Sequence, residues 1–273
     1  MFQKFIENKA FLISFIVILP IIIIAILGPY IAPYDPLAID PEMVLRISAP
    51  GHLLGTDEFG RDILSRLIFG IRPSFVVAIG ATLMALCAGL ILGILAGYLG
   101  GAAEQLIMRT VDIILCFPPI LLALMVVGFW GPGIKNLIVT IGIVYTPHFA
   151  RLAFASTIQV KSQEYIEAEI SLGASFLRIV RKGILPNILS PIIIQVSLTI
   201  AASILLESGL SFLGLGIVPP EPSLGLMIGE ARGYILQNPM YAVWPSLFLG
   251  VTILAINILG DSLRDILDPR LHT

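Results

Sequence analysis

Charged residues are scarce in this sequence: Asp, Glu, Lys and Arg make up 12% of its 273 residues, whereas a soluble domain has about a quarter. The hydrophobic fraction is 57%. Together these values exclude an ordinary soluble domain and indicate an integral membrane protein. We therefore predict that the chain is embedded in the lipid bilayer. Its net charge of −2 is too small to indicate nucleic acid as a partner.

Cysteine is nearly absent, with only Cys87 and Cys116, and both lie in or beside apolar runs. Two such residues cannot build a disulfide framework or a metal site, and the three histidines are isolated from one another, so we predict no metal. A phosphate-binding loop is also missing, because none of the five lysines follows a glycine. No HExxH or GxSxG motif occurs. We therefore predict that the chain is not an enzyme and has no catalytic residue.

What the sequence does have is uncharged apolar runs, which predict an all-α membrane protein with six transmembrane helices. The runs cover residues 10–32, 73–103, 113–134, 136–150, 183–206 and 233–260. The first is too long for a signal peptide and lacks a clear cleavage site, so we predict a retained span. We expect an N-terminal helix with an external segment over residues 1–72 and a five-helix core over residues 73–273.

Two shorter patterns predict helix contacts. Gly89, Gly93 and Gly97 recur at intervals of four, which leaves a bare stripe on one helix face and favours close approach of another helix. Arg109 and Asp112 stand three residues apart between the second and third runs. At this spacing the two side chains can pair on one helix face, and we predict that they anchor that helix at the membrane interface.

The distribution of Lys and Arg predicts the orientation in the membrane. If the N-terminus is cytoplasmic, ten of the 16 basic residues fall in cytoplasmic segments. We therefore predict that both termini are cytoplasmic, together with the segment that joins the fourth and fifth runs.

That segment, residues 164–187, reads EYIEAEISLGASFLRIVRKGILPN and carries several charges between two apolar runs. Its first part has the spacing of a helix, and Gly173 interrupts the pattern where a turn is easiest. A second short helix is predicted to stop at Pro186, which has no N–H to donate. The residue types alone leave two interpretations, a surface held by a soluble partner or a solvated loop whose charges set the topology.

The same segment resembles the EAA loop of ABC-transporter permease subunits. The family pattern is E-A-A, three residues, Gly, nine residues, then I-x-L-P, and the Glu, Gly and Pro positions all match. The sequence departs from the pattern at Glu169, where alanine is usual, and at Gly183, where a bulkier residue is usual. The resemblance implies that a loop over about residues 156–187 contacts an ATPase partner. The residues implied in this contact are Glu167, Ala168, Gly173, Leu185 and Pro186.

A block at residues 52–74, HLLGTDEFGRDILSRLIFGIRPS, is similar to the second permease subunit of the oligopeptide, dipeptide and nickel branch of that family. Apolar residues after Asp62 have amphipathic helical spacing. One interpretation is an interfacial helix that leads into the next span. The other adds a docking edge for an external protein, with Asp57, Arg61 and Asp62 as candidates.

A second block, residues 205–235, matches the same branch, as does the C-terminal stretch up to Arg270. Its Gly and Pro content predicts a re-entrant or folded loop at the outer mouth, held by protein rather than lipid. Glu207 ends the fifth run, and a carboxylate there is either functional or satisfied by backbone amides of the Gly-rich loop. The candidates for a substrate path or outer gate are Glu207, Ser211 and Phe212.

The resemblance implies the type I ABC importer permease (MetI-like) fold and a place in a bacterial or archaeal inner membrane. It implies half of a translocation path for dipeptides, oligopeptides or a related small solute such as a nickel chelate. The implied partners are a second homologous permease, two ATPase subunits that bind ATP and Mg, and an extracytoplasmic substrate-binding protein. The alternatives are a secondary transporter driven by an ion gradient and a membrane-embedded enzyme. Few ionisable residues lie deep in the runs, which disfavours the former, and no nucleophile or metal constellation supports the latter.

Overall fold

The computed structural model describes residues 8–267, which are mainly helical; Lys4 and residues 268–270 of the family-like C-terminus lie outside the described residues. Five of the helices are long and apolar enough to cross a membrane. In chain order, the helices are α1 (Lys9–Ile31), α2 (Ile63–Leu99), α3 (Gly101–Leu115), α4 (Pro119–Trp130), α5 (Ile134–Lys161), α6 (Glu164–Ser171), α7 (Phe176–Phe212), α8 (Leu224–Ala231) and α9 (Met240–Leu267).

The predicted third span is not a straight helix. Its residues form the end of α3 and all of α4, and the two helices meet at an angle of 94°. The break coincides with Pro118 and Pro119, which lack N–H donors and push the preceding residue out of the helical region. The 12 residues of α4 extend only about 18 Å, short of the bilayer core. The prediction of six spans therefore holds only if this bent pair counts as one.

The predicted division after residue 72 falls inside a helix. Helix α2 begins at Ile63 and continues through Pro73 without a break, with the carboxylate of Asp62 accepting a hydrogen bond from the N–H of Ser65 at its start. Helix α1 packs into the same core, since Ile18 belongs to a buried hydrophobic cluster that also contains residues of α2, α7 and α9. The amphipathic helix predicted after Asp62 and the second span are thus one element.

The predicted glycine stripe is the contact surface between α2 and α5, which confirms its interpretation as a packing device. A Cβ built on Gly93 would lie 2.7 Å from the Cβ of Ala153. A Cβ on Gly97 would lie 2.9 Å from the Cβ of Thr157. Because carbon atoms do not approach so closely, the two helices can touch only where these side chains are absent.

Replacing Gly93 with alanine should separate α2 from α5 and destabilise the protein by about 1–3 kcal/mol, the usual cost of overpacking. Thermal unfolding of the purified protein in detergent measures the effect. Gly128→Ala is the matched control, because no atom lies within 4 Å of a Cβ at that helical position. Equal unfolding temperatures for the two variants would contradict the assigned packing.

The predicted folded loop at the end of the fifth run is confirmed. Helix α7 ends at Phe212, Gly214 adopts a φ of +77°, and an irregular stretch leads to the short helix α8. The loop is tied to the start of α5, since the N–H of Gly133 donates to the carbonyl of Gly216 at 3.0 Å. It lies at the end of the molecule opposite the segment 164–187, because α7 connects the two.

Candidate functional site

The segment 164–187 forms a helix, a glycine turn and the start of a second helix, as predicted. Gly173 adopts a φ of +77°, in the left-handed region that favours glycine. Its N–H donates to the carbonyl of Ile170, and the N–H of Ala174 donates to the carbonyl of Glu169, each at 3.0 Å. These two bonds end α6 and redirect the chain into α7.

Ile166 anchors the turn against the body of the protein. Ile166 is fully buried, and a Cβ on Gly183 would overlap the Cδ1 atom of Ile166. This explains why residue 183 departs from the family pattern. A bulkier residue there would overlap the side chain of Ile166.

The prediction that the second helix stops at Pro186 is wrong. Residues Ile179–Ile184 form a π-helical turn, and the helix continues through Pro186 to Phe212. A proline ring clashes with the carbonyl four residues earlier in a regular α-helix. The wider π turn before the proline relieves this clash, so α7 is one helix from the segment to the opposite end.

The surface of the segment is apolar as well as charged. Glu167, Ala168, Gly173 and Pro186 are exposed, and Leu185 is half-buried. Apolar side chains beside them are also exposed: Tyr165, Ile170, Leu172 and Leu177. A cavity of about 650 Å³ adjoins this surface, lined by Glu167, Glu104 and Lys161 among others. The ammonium group of Lys161 donates to the carbonyl of Tyr98 at 2.7 Å.

At the opposite end of the molecule, buried charges form a network. Arg61 Nε donates to Asp57 Oδ2 at 2.6 Å. Arg66 Nε lies 3.3 Å from the same oxygen, and Arg66 Nη2 donates to Glu230 Oε2 at 3.3 Å. The side chains of Asp57 and Arg66 are completely buried. The network therefore joins the loop before α2, α2 itself and α8.

Asp62 is also engaged within the chain, since its carboxylate accepts hydrogen bonds from Ser65 and lies 2.9 Å from His52 Nδ1. The three predicted docking candidates, Asp57, Arg61 and Asp62, are thus brought together but are buried. Their direct contacts are internal, and a docking role for this region stays a prediction.

Glu230 connects the network to α9. Its carboxylate accepts a hydrogen bond from the hydroxyl of Tyr241 at 3.2 Å. Burial raises the pKa of Glu230 above its usual value, and the guanidinium of Arg66 offsets this only in part. Asn238, just before α9, donates to the carbonyl of Thr56 at 3.2 Å.

Glu207 is completely buried, and serine hydroxyls rather than backbone amides satisfy it. Ser74 Oγ of α2 donates to Glu207 Oε2 at 2.6 Å, and Ser211 Oγ donates to Oε1 at 2.6 Å. Ser208 Oγ adds a longer bond of 3.4 Å. The expectation of backbone amides is therefore corrected, because the donors are side-chain hydroxyls, two from neighbouring residues of α7 and one from the distant Ser74. Phe212 is partly exposed at the end of α7. A role in the substrate path or outer gate stays a prediction for Glu207, Ser211 and Phe212.

Asp112 does not use the pairing with Arg109 that their spacing allows. Asp112 Oδ1 instead accepts a hydrogen bond from Arg151 Nη2 of α5 at 2.6 Å, and both side chains are about half exposed.

Within residues 8–267, no three His, Cys, Asp or Glu side chains come together as metal ligands.

Sequence reasoning missed Arg66, Glu230 and Ser74. Arg66 lies on a helix whose apolar residues predict a face packed against the core. A charged residue on such a face is the signal that would have indicated a buried ion pair. Glu230 and Ser74 carry no such signal, because their partners lie 164 and 133 residues away in the sequence.

Comparison with known proteins agrees with this architecture. Residues 89–273 match the sequence model of the family described as binding-protein-dependent transport system inner membrane component. Residues 1–50 match that of the N-terminal TM domain of oligopeptide transport permease C. The di/tripeptide transport system permease protein of Pseudomonas aeruginosa is 40% identical over 98% of this chain and 91% of its own length. The glutathione transport system permease protein of Pectobacterium atrosepticum is 40% identical over 99% of this chain and 90% of its own length.

Among solved structures, an inward-facing form of the MetNI methionine ABC transporter superposes with a TM-score of 0.62. It covers 76% of this chain and 98% of the matched chain, at 20% identity, and so shows the MetI-like fold. Because the family match covers most of the sequence and the relatives are similar over nearly their whole length, the chain belongs to the inner membrane components of binding-protein-dependent transport systems, the multi-pass permease subunits of ABC transporters.

Proposed function

We propose that this chain is one of two permease subunits of an ATP-driven importer of short peptides. It works with a second homologous permease, two ATPase subunits that bind ATP and Mg, and an extracytoplasmic substrate-binding protein. The observation that carries the coupling is the exposed surface at residues 164–187, where Glu167 lies beside exposed apolar side chains. The relatives include di/tripeptide and dipeptide transport system permease proteins, which supports peptides as the solute.

The mechanism follows from how the segment is attached. The segment passes through the Gly173 turn directly into α7, so a soluble partner that moves it also moves a membrane helix. When ATP binding closes the ATPase pair, the segment is displaced and the helices alternate between inward-open and outward-open arrangements. An ion-gradient mechanism is not favoured, since the family is that of ABC transporters.

The test is reconstitution in proteoliposomes of this chain with its second permease, both ATPases and the binding protein. We expect uptake of dipeptides that requires ATP and is blocked by vanadate. A nickel chelate and a glutathione-like tripeptide serve as competing solutes and define the class carried. Uptake that is driven by an ion gradient and unaffected by removal of the ATPases would overturn the proposal.

The proposed orientation places residues 164–187 and both termini in the cytoplasm. Asp40 and Ser171 are exposed at opposite ends of the molecule and are suitable positions for single cysteines after Cys87 and Cys116 are replaced. A membrane-impermeant thiol reagent applied to intact cells should label Asp40→Cys. It should label Ser171→Cys only after the membrane is opened, and the reverse pattern would reject this orientation.

A further inference from the structure

Helix α7 links the two ends of the molecule. It begins three residues after Gly173 and continues to Phe212, a length of 37 residues or about 55 Å. Glu207 lies near its far end. A displacement of the segment 164–187 is therefore applied to the same helix that carries this buried carboxylate.

Helix α7 contacts α2 near both of its ends. Beside the segment, the ring of Phe176 meets the ring of Tyr98 edge-on, with a centroid separation of 4.7 Å. At the opposite end, Ser74 of α2 donates its hydroxyl hydrogen to Glu207 at 2.6 Å. The second contact is polar and buried, so its loss leaves a carboxylate oxygen without its closest donor.

The same carboxylate also holds the outer loop, here residues 213–223. Ser211 Oγ donates to Glu207 Oε1 at 2.6 Å and accepts a hydrogen bond from the N–H of Ile217 at 3.2 Å. The loop backbone lies directly on this serine, because a Cβ on Gly216 would overlap Ser211 Oγ. The hydroxyl therefore relays the position of Glu207 to the loop.

We propose that Glu207 is a positioning residue for transport, which ties α2 through Ser74 and the outer loop through Ser211 to the far end of α7. A displacement applied to the segment 164–187 then reaches the outer mouth. The carboxylate acts through the two serines, because it is completely buried and already accepts hydrogen bonds from their hydroxyls. This inference rests on the proposed importer function.

The experiment compares Glu207→Ala, Ser74→Ala and Ser211→Ala in the complete reconstituted transporter, normalised to the amount assembled. The readout is the number of peptides taken up per ATP hydrolysed. Losing one of these buried hydrogen bonds should lower this ratio about tenfold. Glu207→Gln keeps the shape and one acceptor oxygen, so it should restore part of the ratio. The double variant Ser74→Ala/Glu207→Ala should lose no more than Glu207→Ala alone, because both changes remove the same bond.

Ser197→Ala is the matched control. Ser197 is buried earlier on α7, and its hydroxyl donates to the carbonyl of Ile193 at 3.1 Å, away from the Glu207 contacts. A merely structural effect of removing a buried hydroxyl would appear in this variant too. A difference confined to the Glu207 contacts identifies the positioning role.

Spin labels at Val218 in the outer loop and Val76 on α2 provide a second readout, since both side chains are exposed. In the parent protein the distance between the labels should change when ATP is added, and Glu207→Ala, Ser74→Ala and Ser211→Ala should each abolish this change. If the parent takes up peptide while all three variants keep both its uptake ratio and its distance change, the inference is overturned. If the parent takes up no peptide with ATP, the proposed function itself fails.

Discussion

Replacing Arg66 with methionine should destabilise the protein by about 3–5 kcal/mol, because it removes the buried cation that neutralises Asp57 and Glu230 together. Arg66 is the fully buried cation that connects Asp57 with Glu230. Methionine fills similar space but donates no hydrogen bond. Thermal unfolding in detergent should show a midpoint lower by on the order of 10 °C.

The control for this prediction is Arg151→Met. Arg151 pairs with Asp112 at 2.6 Å, but both side chains are about half exposed, so the loss should be at most about 1 kcal/mol. Adding Glu230→Gln to Arg66→Met should recover part of the loss, because one of the unpaired charges is removed. Similar unfolding midpoints for Arg66→Met and Arg151→Met would contradict the importance of the buried network.

Replacing Gly173 with valine should release the ATPase subunits from the complex. The φ of +77° costs a residue with a Cβ about 1–2 kcal/mol, and a β-branched side chain adopts it least readily. No atom lies within 4 Å of a Cβ built there, so the effect comes from the backbone rather than from a clash. The turn should then open and tilt α6 away from α7. Co-purification of the ATPases and peptide uptake are measured side by side.

Glu167→Ala tests the same surface without altering the backbone. If the carboxylate meets a basic or donor group of the ATPase, its removal leaves that group unpaired, a loss of roughly 1–3 kcal/mol in the buried interface. ATPase retention should fall by about tenfold or more. Glu164→Ala is the control, since Glu164 is exposed at the start of α6 but does not line the adjoining cavity. Full assembly and full transport in both Gly173→Val and Glu167→Ala would reduce the segment to a solvated connector.

Much of the fold could be predicted from local sequence patterns. Uncharged runs indicate membrane helices because charged groups are costly in hydrocarbon, and each run is detected without knowing its neighbours. The turn at Gly173 and the stripe of Gly93 and Gly97 were predicted for a similar reason. A glycine at such a position has a backbone or packing use that depends on few other residues.

The extent of the helices was less predictable. The apolar runs mark only the part of each helix that lies in lipid, whereas α2, α5 and α7 continue into segments that carry charges. The consecutive prolines Pro118 and Pro119 interrupt the chain just after α3 ends at Leu115, yet Pro186 does not end α7. The difference is the π turn before Pro186, whose wider backbone accommodates the ring.

By itself, then, the sequence determined a helical membrane protein, its glycine contacts and a loop in which Glu167, Gly173 and Pro186 have the spacing of the permease EAA loop. Only the tertiary structure decided which polar groups meet. Arg66 reaches Glu230 across 164 residues, Ser74 reaches Glu207 across 133, and Asp112 pairs with Arg151 rather than with its neighbour Arg109. Spacing along one helix cannot predict such pairs, because the partner is whichever group the packing of other helices brings within hydrogen-bond distance. Burial then makes the pairing obligatory, since an unpaired polar group away from water is costly.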